Sequence, residues 1–172
     1  MKKLFALMLA LCLVLCTAAM AENEISWDQV EPVLAEKGIN GEFVTFDQIA
    51  VKVWIPEGMA AVDTEGLPEG YIGYFAAEDG DAVAVMYVNV EGMDLNAYAE
   101  QVAANGGENI EAGTVNGLPC ITYEFTSDAG LCRVCSFTTQ AGYILEVAVG
   151  PLADDNAELG AGIVLASIQA AE

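Results

Sequence analysis

Apolar residues recur along the chain with two different periods, which predict strands and helices. Alternation of apolar and polar residues, the period of a half-buried strand, predicts two hairpins and a meander. The hairpins span 43–56 and 71–90, and the meander strands span 109–115, 118–126, 131–139 and 143–149. Apolar residues spaced three and four apart predict amphipathic helices at 26–37, at 95–105 and from Asp154 or Asp155 to about Ile168.

Turn residues set the expected register of the two hairpins. A two-residue turn at 47–48 would place Phe46 opposite Ile49 and direct one apolar stripe toward the core. Residues 79–80 are Asp-Gly, which is typical of a two-residue type I′ turn. Each hairpin is therefore predicted to have the shortest common loop.

The register of the meander follows from its turns and from one pair of opposite charges. The Asn-Gly turn at 116–117 places Ile110 opposite Tyr123, and a turn at 127–130 places Glu124 opposite Arg133. An opposite-charge pair across two strands supports this register independently. Glu111 is expected on the same face, beside that pair.

One strand predicts how the layers stack. Residues 82–88 are apolar on both faces, which is typical of a strand that is covered on both sides. The chain shows no repeat or linker, so residues 22–172 are predicted to form a single domain. We expect an α+β fold with an antiparallel sheet of about seven to eight strands, sandwiched by helices.

The first 21 residues have the organisation of an export signal. Two lysines precede an apolar run at 4–15, which is too short to cross a bilayer because a span takes about 20 residues. Ala19 and Ala21 form a small-residue cleavage pattern, so the mature chain is predicted to begin at Glu22. We therefore expect secretion from a bacterial cell, with no membrane attachment after cleavage.

A lipid anchor is the closest alternative to simple cleavage. Lipidation of Cys16 would require a small residue before it, whereas Leu15 occupies that position. Lipoprotein anchoring is therefore the less favoured reading of this segment.

Charge and composition exclude several classes of function. The chain has 5 basic and 26 acidic residues, a net charge of -21 and no histidine. Binding to nucleic acid or anionic membrane needs clustered Lys and Arg, which are absent. Without histidine there is no catalytic triad, no His general base and no His-ligated zinc. No cofactor or metal is predicted.

Three cysteines, Cys120, Cys132 and Cys135, remain after cleavage of the signal. The register places Cys120 and Cys135 diagonally on one face, about 7–8 Å apart at Cα, which is at or beyond the usual limit for a disulfide. Cys132 is expected to be buried on the other face. The sequence leaves two states open: three free thiols, or one strained Cys120–Cys135 disulfide with Cys132 free.

The order of elements and three segments resemble the PsbP-like fold group of small secreted bacterial proteins. The segments are IAVKVWIPEG at 49–58, VNGLPCITYEF at 115–125 and AGYILEVAV at 141–149. The resemblance is architectural and implies an antiparallel sheet sandwiched by helices. It implies no chemistry, because one fold serves many functions.

No group of residues stands out as a catalytic site. The acidic cluster 78–81 is interpreted as a hairpin turn, and Asp154 and Asp155 as a helix cap. The aromatic residues of the strands are interpreted as core; they are Tyr71, Tyr74, Phe75, Tyr87, Tyr123, Phe125 and Tyr143. The chain is therefore predicted to be an exported, acidic, non-enzymatic binding or accessory domain for a protein or small molecule. The alternatives are a carboxylate-dependent hydrolase and a subunit of a cell-envelope complex.

Overall fold

The computed structural model describes residues 24–47, 49–88, 90, 92–139 and 142–171. The predicted signal and its cleavage site at Glu22 lie outside these residues. The described helices are α1 (Trp27–Lys37), α2 (Leu95–Ala104) and α3 (Asp155–Ala166). The described strands are β1 (Glu24–Ile25), β2 (Gly41–Phe46), β3 (Val51–Pro56), β4 (Ala60–Ala61), β5 (Tyr71–Ala76), β6 (Ala82–Val88), β7 (Glu108–Val115), β8 (Leu118–Ser127), β9 (Gly130–Thr138), β10 (Ile144–Gly150) and β11 (Gln169–Ala170).

The described strands form two sheets. The large sheet has eight strands in the order β1-β7-β8-β9-β10-β6-β5-β4, and the small sheet has the order β11-β3-β2. All neighbouring strands are antiparallel except the short β1, which pairs in parallel with β7. The expected α+β architecture is confirmed, although the first hairpin belongs to the small sheet rather than to the large one.

Helices cover both faces of the large sheet, as the two-sided strand β6 predicted. On one face, Val83 and Val85 of β6 join a core shared with the small sheet and α3. On the other face, Tyr98 and Val102 of α2 pack on the meander. Helix α1 forms an outer layer through Trp27, which packs against the small sheet and α3. None of the described helices is long and apolar enough to cross a membrane.

The meander register matches the prediction except near one strand end. Glu124 lies opposite Arg133, and their charged groups are 2.7 Å apart. The expected Ile110–Tyr123 pairing is wrong, because the register of β7 shifts between Glu108 and Glu111. Asn109 lies within this irregular segment and has a left-handed φ of 52°.

Both hairpin turns are longer than predicted. Phe46 pairs with Val51 rather than Ile49, so the loop contains four residues. This shift of two residues leaves the same side chains pointing inward, because strand periodicity is two. In the second hairpin Ala76 pairs with Ala82, and Gly80 alone has a positive φ within its loop. A type I′ turn requires positive φ at both central residues, so the predicted two-residue turn is wrong.

A turn side chain joins the two ends of the fold. Asn116, in the type I′ turn between β7 and β8, accepts a hydrogen bond from the backbone nitrogen of Trp27 at 2.7 Å. Its amide nitrogen donates to the carbonyl oxygens of Ala166 and Ile168, each at 2.8 Å. Asn116 therefore satisfies the start of α1 and the end of α3, whereas Ser26 makes no side-chain cap.

Candidate functional site

A cavity of about 480 Å³ lies between α2 and the large sheet. Its floor is formed by two adjacent cross-strand pairs of small residues, Ala84 with Ala148 and Ala82 with Gly150. The opposite face of the same strands carries valines and leucine that fill the core. Small side chains on one face therefore leave space where larger ones would fill the gap to the helix.

Aromatic side chains form the walls of this cavity. Tyr71 and Tyr74 come from β5 and contact each other edge to face, with ring centroids 6.2 Å apart. Tyr98 comes from α2, and Tyr123 and Phe125 come from β8. Phe125 is 42% exposed. The prediction that the strand aromatics are core is therefore wrong for Phe125.

Tyr143 departs from the core prediction too. It is 51% exposed and packs edge to face against Tyr87, with centroids 5.2 Å apart. Phe75 and Tyr123 are buried, as expected.

The polar centre of the cavity is the carboxylate of Glu146 on β10. Three hydroxyl groups donate to the same oxygen, Oε1: Tyr98 at 2.7 Å, Ser136 at 2.9 Å, and Tyr123. The other oxygen, Oε2, accepts no hydrogen bond from a described residue. The half-buried carboxylate is thus held in one orientation with an oxygen left for a ligand.

The two tyrosines remain hydroxyl donors because ionisation is disfavoured at both. Burial raises the pKa of Tyr98 and of Tyr123 well above its ordinary value, and the charge of Glu146 raises both further. Both phenols are therefore protonated wherever the protein is folded at ordinary pH. They act as hydrogen-bond donors directed at Glu146.

Sequence reasoning missed Glu146, although a signal was available. It is the single acid in the otherwise apolar strand β10, and it shares a face with Ala148. A charge on a central strand beside small residues is a signal to look for partners, because buried charges need them. Its partners come from elements that are distant in the chain, so only the fold reveals them.

The three cysteines occupy the predicted register. Cys120 lies opposite Phe137, and Cys135 lies opposite Thr122, which makes the two cysteines diagonal neighbours. Both are buried thiols in this structure. The hydrogen bond with Cys120, together with burial, raises the pKa of Cys135. The two predicted states, three free thiols or one strained Cys120–Cys135 disulfide with Cys132 free, both stay open.

Cys132 differs from its expectation. It is half-buried rather than buried, and it lines the cavity. Its Sγ lies 3.7 Å from Ser127 Oγ and 3.7 Å from the carbonyl oxygen of Gly130. The thiol therefore makes weak polar contacts at the edge of the cavity.

The acidic cluster at 78–81 borders a second, larger groove of about 720 Å³, beside α3. The groove has no aromatic wall. Burial raises the pKa of Asp81, and the nearby Asp79 and Asp154 raise it further. No group of three Cys, Asp or Glu side chains among the described residues is arranged to hold a metal ion. Asp154 caps α3, as predicted, by accepting from two backbone nitrogens.

The predicted charge pair of the meander is present, and Asn109 adds a hydrogen bond to it. Arg133 Nη2 donates to Glu124 Oε1, and Asn109 donates to Glu124 Oε2 at 2.6 Å. Both hydrogen bonds lower the pKa of Glu124. Glu111 pairs across the strands with Thr122, which places it on the same face as the pair, as predicted, and it is exposed.

Comparisons with known proteins find similarity in structure only. No protein-family model matches the chain, and no curated protein matches it in sequence. The solution structure of cyanobacterial PsbP (CyanoP) from Synechocystis sp. PCC 6803 is similar, with a TM-score of 0.58 and 15% identity. That alignment covers 76% of this chain and 92% of the other.

The crystal structure of the Saccharomyces cerevisiae Ran-binding protein Mog1p also aligns, with a TM-score of 0.42 and 13% identity. It covers 78% of this chain and 97% of that one, but the likeness is too distant to bear on the fold. The likeness to cyanobacterial PsbP agrees with the layers described above, in which helices enclose an antiparallel sheet. The chain has a PsbP-like fold.

Proposed function

We propose that this chain is an exported, non-enzymatic binding domain that holds a small molecule in the cavity between α2 and the large sheet. The observation that carries the proposal is the pairing of a small-residue floor with aromatic walls around one oriented carboxylate. Ligand sites are typically concave and mostly apolar, with a few placed polar groups. This cavity has that composition.

The same cavity supports binding better than hydrolysis. Glu146 is the one carboxylate among the described residues that line it. Glycoside hydrolysis by carboxylates typically uses two of them facing one substrate, one as the acid and one as the base or nucleophile. The tyrosines beside Glu146 are held protonated, so they do not supply the second basic group.

Filling the cavity tests this proposal. Ala148→Leu places a larger side chain on the floor, and Ala103→Leu makes the same change on the exposed side of α2. Backbone amide shifts are recorded by NMR while each folded variant is titrated with a panel of indole derivatives of differing charge. In the wild type we expect chemical-shift changes at the amides of the cavity lining. In Ala148→Leu these changes should be much smaller. Ala103→Leu should behave like the wild type.

Two results oppose the proposal. One is a wild-type spectrum in which no member of the panel moves the amides of the cavity lining. The other is unchanged binding in a folded Ala148→Leu variant, which would place the ligand elsewhere.

Export is supported by the order of the N-terminal segments, which is that of a cleavable signal. Intact-mass measurement and N-terminal sequencing of the protein recovered from culture medium test it. We expect a chain that starts at Glu22. A chain acylated at Cys16, or one that keeps its first residue, contradicts this part of the proposal.

A further inference from the structure

Glu146 has no cationic partner among the residues that the structure describes. Two of the basic side chains in that part of the protein make ion pairs elsewhere: Lys37 with Glu36, and Arg133 with Glu124. The third, Lys52, lies over the ring of Phe43, 5.0 Å from its centroid. Among the described residues, the charge of Glu146 is therefore offset by hydroxyl dipoles, and buried charges in proteins are usually paired with an opposite charge.

The aromatic walls favour a positively charged ligand, as the carboxylate of Glu146 does. The face of a tyrosine or phenylalanine ring is negative and attracts an ammonium group within about 6 Å of its centroid. Five such side chains line this cavity: Tyr71, Tyr74, Tyr98, Tyr123 and Phe125. A cation placed near Glu146 would therefore lie in a cavity whose lining combines a carboxylate with aromatic side chains.

The charge of the whole chain acts in the same direction. With a net charge of -21, the protein repels anions and raises the local concentration of small cations. Within the cavity, the alanine floor and Val134 provide an apolar surface for the rest of the ligand. The site thus combines a cation-binding end with an apolar body.

We propose that the cavity binds a small organic cation, a protonated amine with an apolar or aromatic body, whose ammonium group donates to Glu146. This inference rests on the proposed function, since it names the class of ligand for the same cavity. Tyr98, Tyr123 and Ser136 act as positioning residues, because their hydroxyl groups occupy Oε1 and leave Oε2 to the ligand.

Three indole derivatives that differ mainly in charge test the proposal: tryptamine as the cation, tryptophol as the neutral alcohol, and indole acetate as the anion. Calorimetric titration of the wild type at physiological ionic strength should show that tryptamine binds most tightly, tryptophol less tightly and indole acetate least tightly. Glu146→Gln should lower the affinity for tryptamine about tenfold and leave the affinity for tryptophol nearly unchanged. Loss of one charge partner acts on the charged ligand alone.

Glu100→Gln is the matched control. It removes one negative charge from an exposed site on α2 next to Gln101, which lines the cavity, so it changes the net charge equally. If Glu100→Gln lowers the affinity for tryptamine as much as Glu146→Gln does, the effect comes from long-range attraction and the proposal is wrong. Circular dichroism confirms that each variant is folded, and the wild-type affinity order tests the proposal without any variant.

The failures of the two proposals are distinguishable. If tryptophol binds the wild type as tightly as tryptamine does and Ala148→Leu abolishes both, the cavity is a binding site but not a cation site. If none of the three compounds binds, or if Ala148→Leu binds tryptamine as the wild type does, both proposals are overturned.

Discussion

The hydroxyl group of Tyr98 donates to the carboxylate of Glu146 at 2.7 Å, across 48 residues of chain. This contact ties α2 to a central strand of the large sheet, and it lies beside the cavity. Tyr98 is 6% exposed, so most of this side chain is shielded from water. The bond therefore links the stability of α2 docking to the geometry of the candidate site.

Tyr98→Phe removes the hydroxyl group and its hydrogen bond to Glu146 and keeps the aromatic ring. Because hydrogen bonds to charged groups contribute more than neutral ones, we expect the free energy of unfolding to fall by about 1.5–3 kcal/mol. Urea denaturation monitored by circular dichroism measures it. Tyr87→Phe is the control, since the Tyr87 hydroxyl bonds to no described residue, and it should change stability by less than about 0.5 kcal/mol. Equal effects of the two substitutions would contradict this account.

Ser167 connects α3 to the small sheet. Its buried hydroxyl accepts from the Trp54 backbone nitrogen at 2.8 Å and donates to the Val164 carbonyl oxygen at 2.6 Å. Ser167→Ala leaves the Trp54 N–H without a partner, so we expect a loss of about 1–3 kcal/mol in the free energy of unfolding. Ser26→Ala, at a position whose side chain makes no cap, is the comparison and should lose much less. The prediction is wrong if thermal and urea denaturation rank the two the other way.

Asn116 is expected to tolerate no acidic replacement. Asn116→Asp keeps the acceptor for the Trp27 nitrogen but loses the donors to two carbonyl oxygens of the α3 end. We expect the free energy of unfolding to fall by about 1–3 kcal/mol for each carbonyl left unsatisfied. Asn156→Asp, in the exposed first turn of α3, should be neutral or slightly stabilising because a helix N-terminus favours negative charge. Equal stability of the two variants would contradict the structural role assigned to the Asn116 hydrogen bonds.

The Glu124–Arg133 pair predicts a dependence of stability on pH. Hydrogen bonds from Arg133 and Asn109 lower the pKa of Glu124 below its ordinary 4.5, so the folded state binds this proton less readily than the unfolded state does. The stabilisation is therefore complete above about pH 4.5 and is lost as the pH falls through the lowered pKa of the folded state.

Glu124→Gln should accordingly be less stable than the wild type at neutral pH by a modest amount, since the pair is only partly buried. The difference should shrink toward zero as the pH falls below 4.5. Urea denaturation at a series of pH values measures it. A difference that stays constant across that range would mean that the loss reflects packing rather than charge.

Local patterns were sufficient for most of the elements, because each depends on neighbouring residues. The meander register followed from the turn at 116–117, where Asn116 and Gly117 both adopt positive φ, and from the opposite charges of Glu124 and Arg133. The helix cap at Asp154 followed from local hydrogen bonding. The loop of the first hairpin was mispredicted, because a strand that slips by two residues keeps its buried face, so the alternating pattern does not distinguish loop lengths.

By itself, the sequence of this protein determined its class of fold, the order of its elements and the sign of its charge, since periodicity and composition are properties of the chain. Only the tertiary structure decided that the first hairpin forms a separate sheet and that Tyr98, Tyr123 and Ser136 converge on Glu146. Such a cluster depends on which faces of distant elements meet. That meeting is set by packing of the whole core, and no local pattern records it.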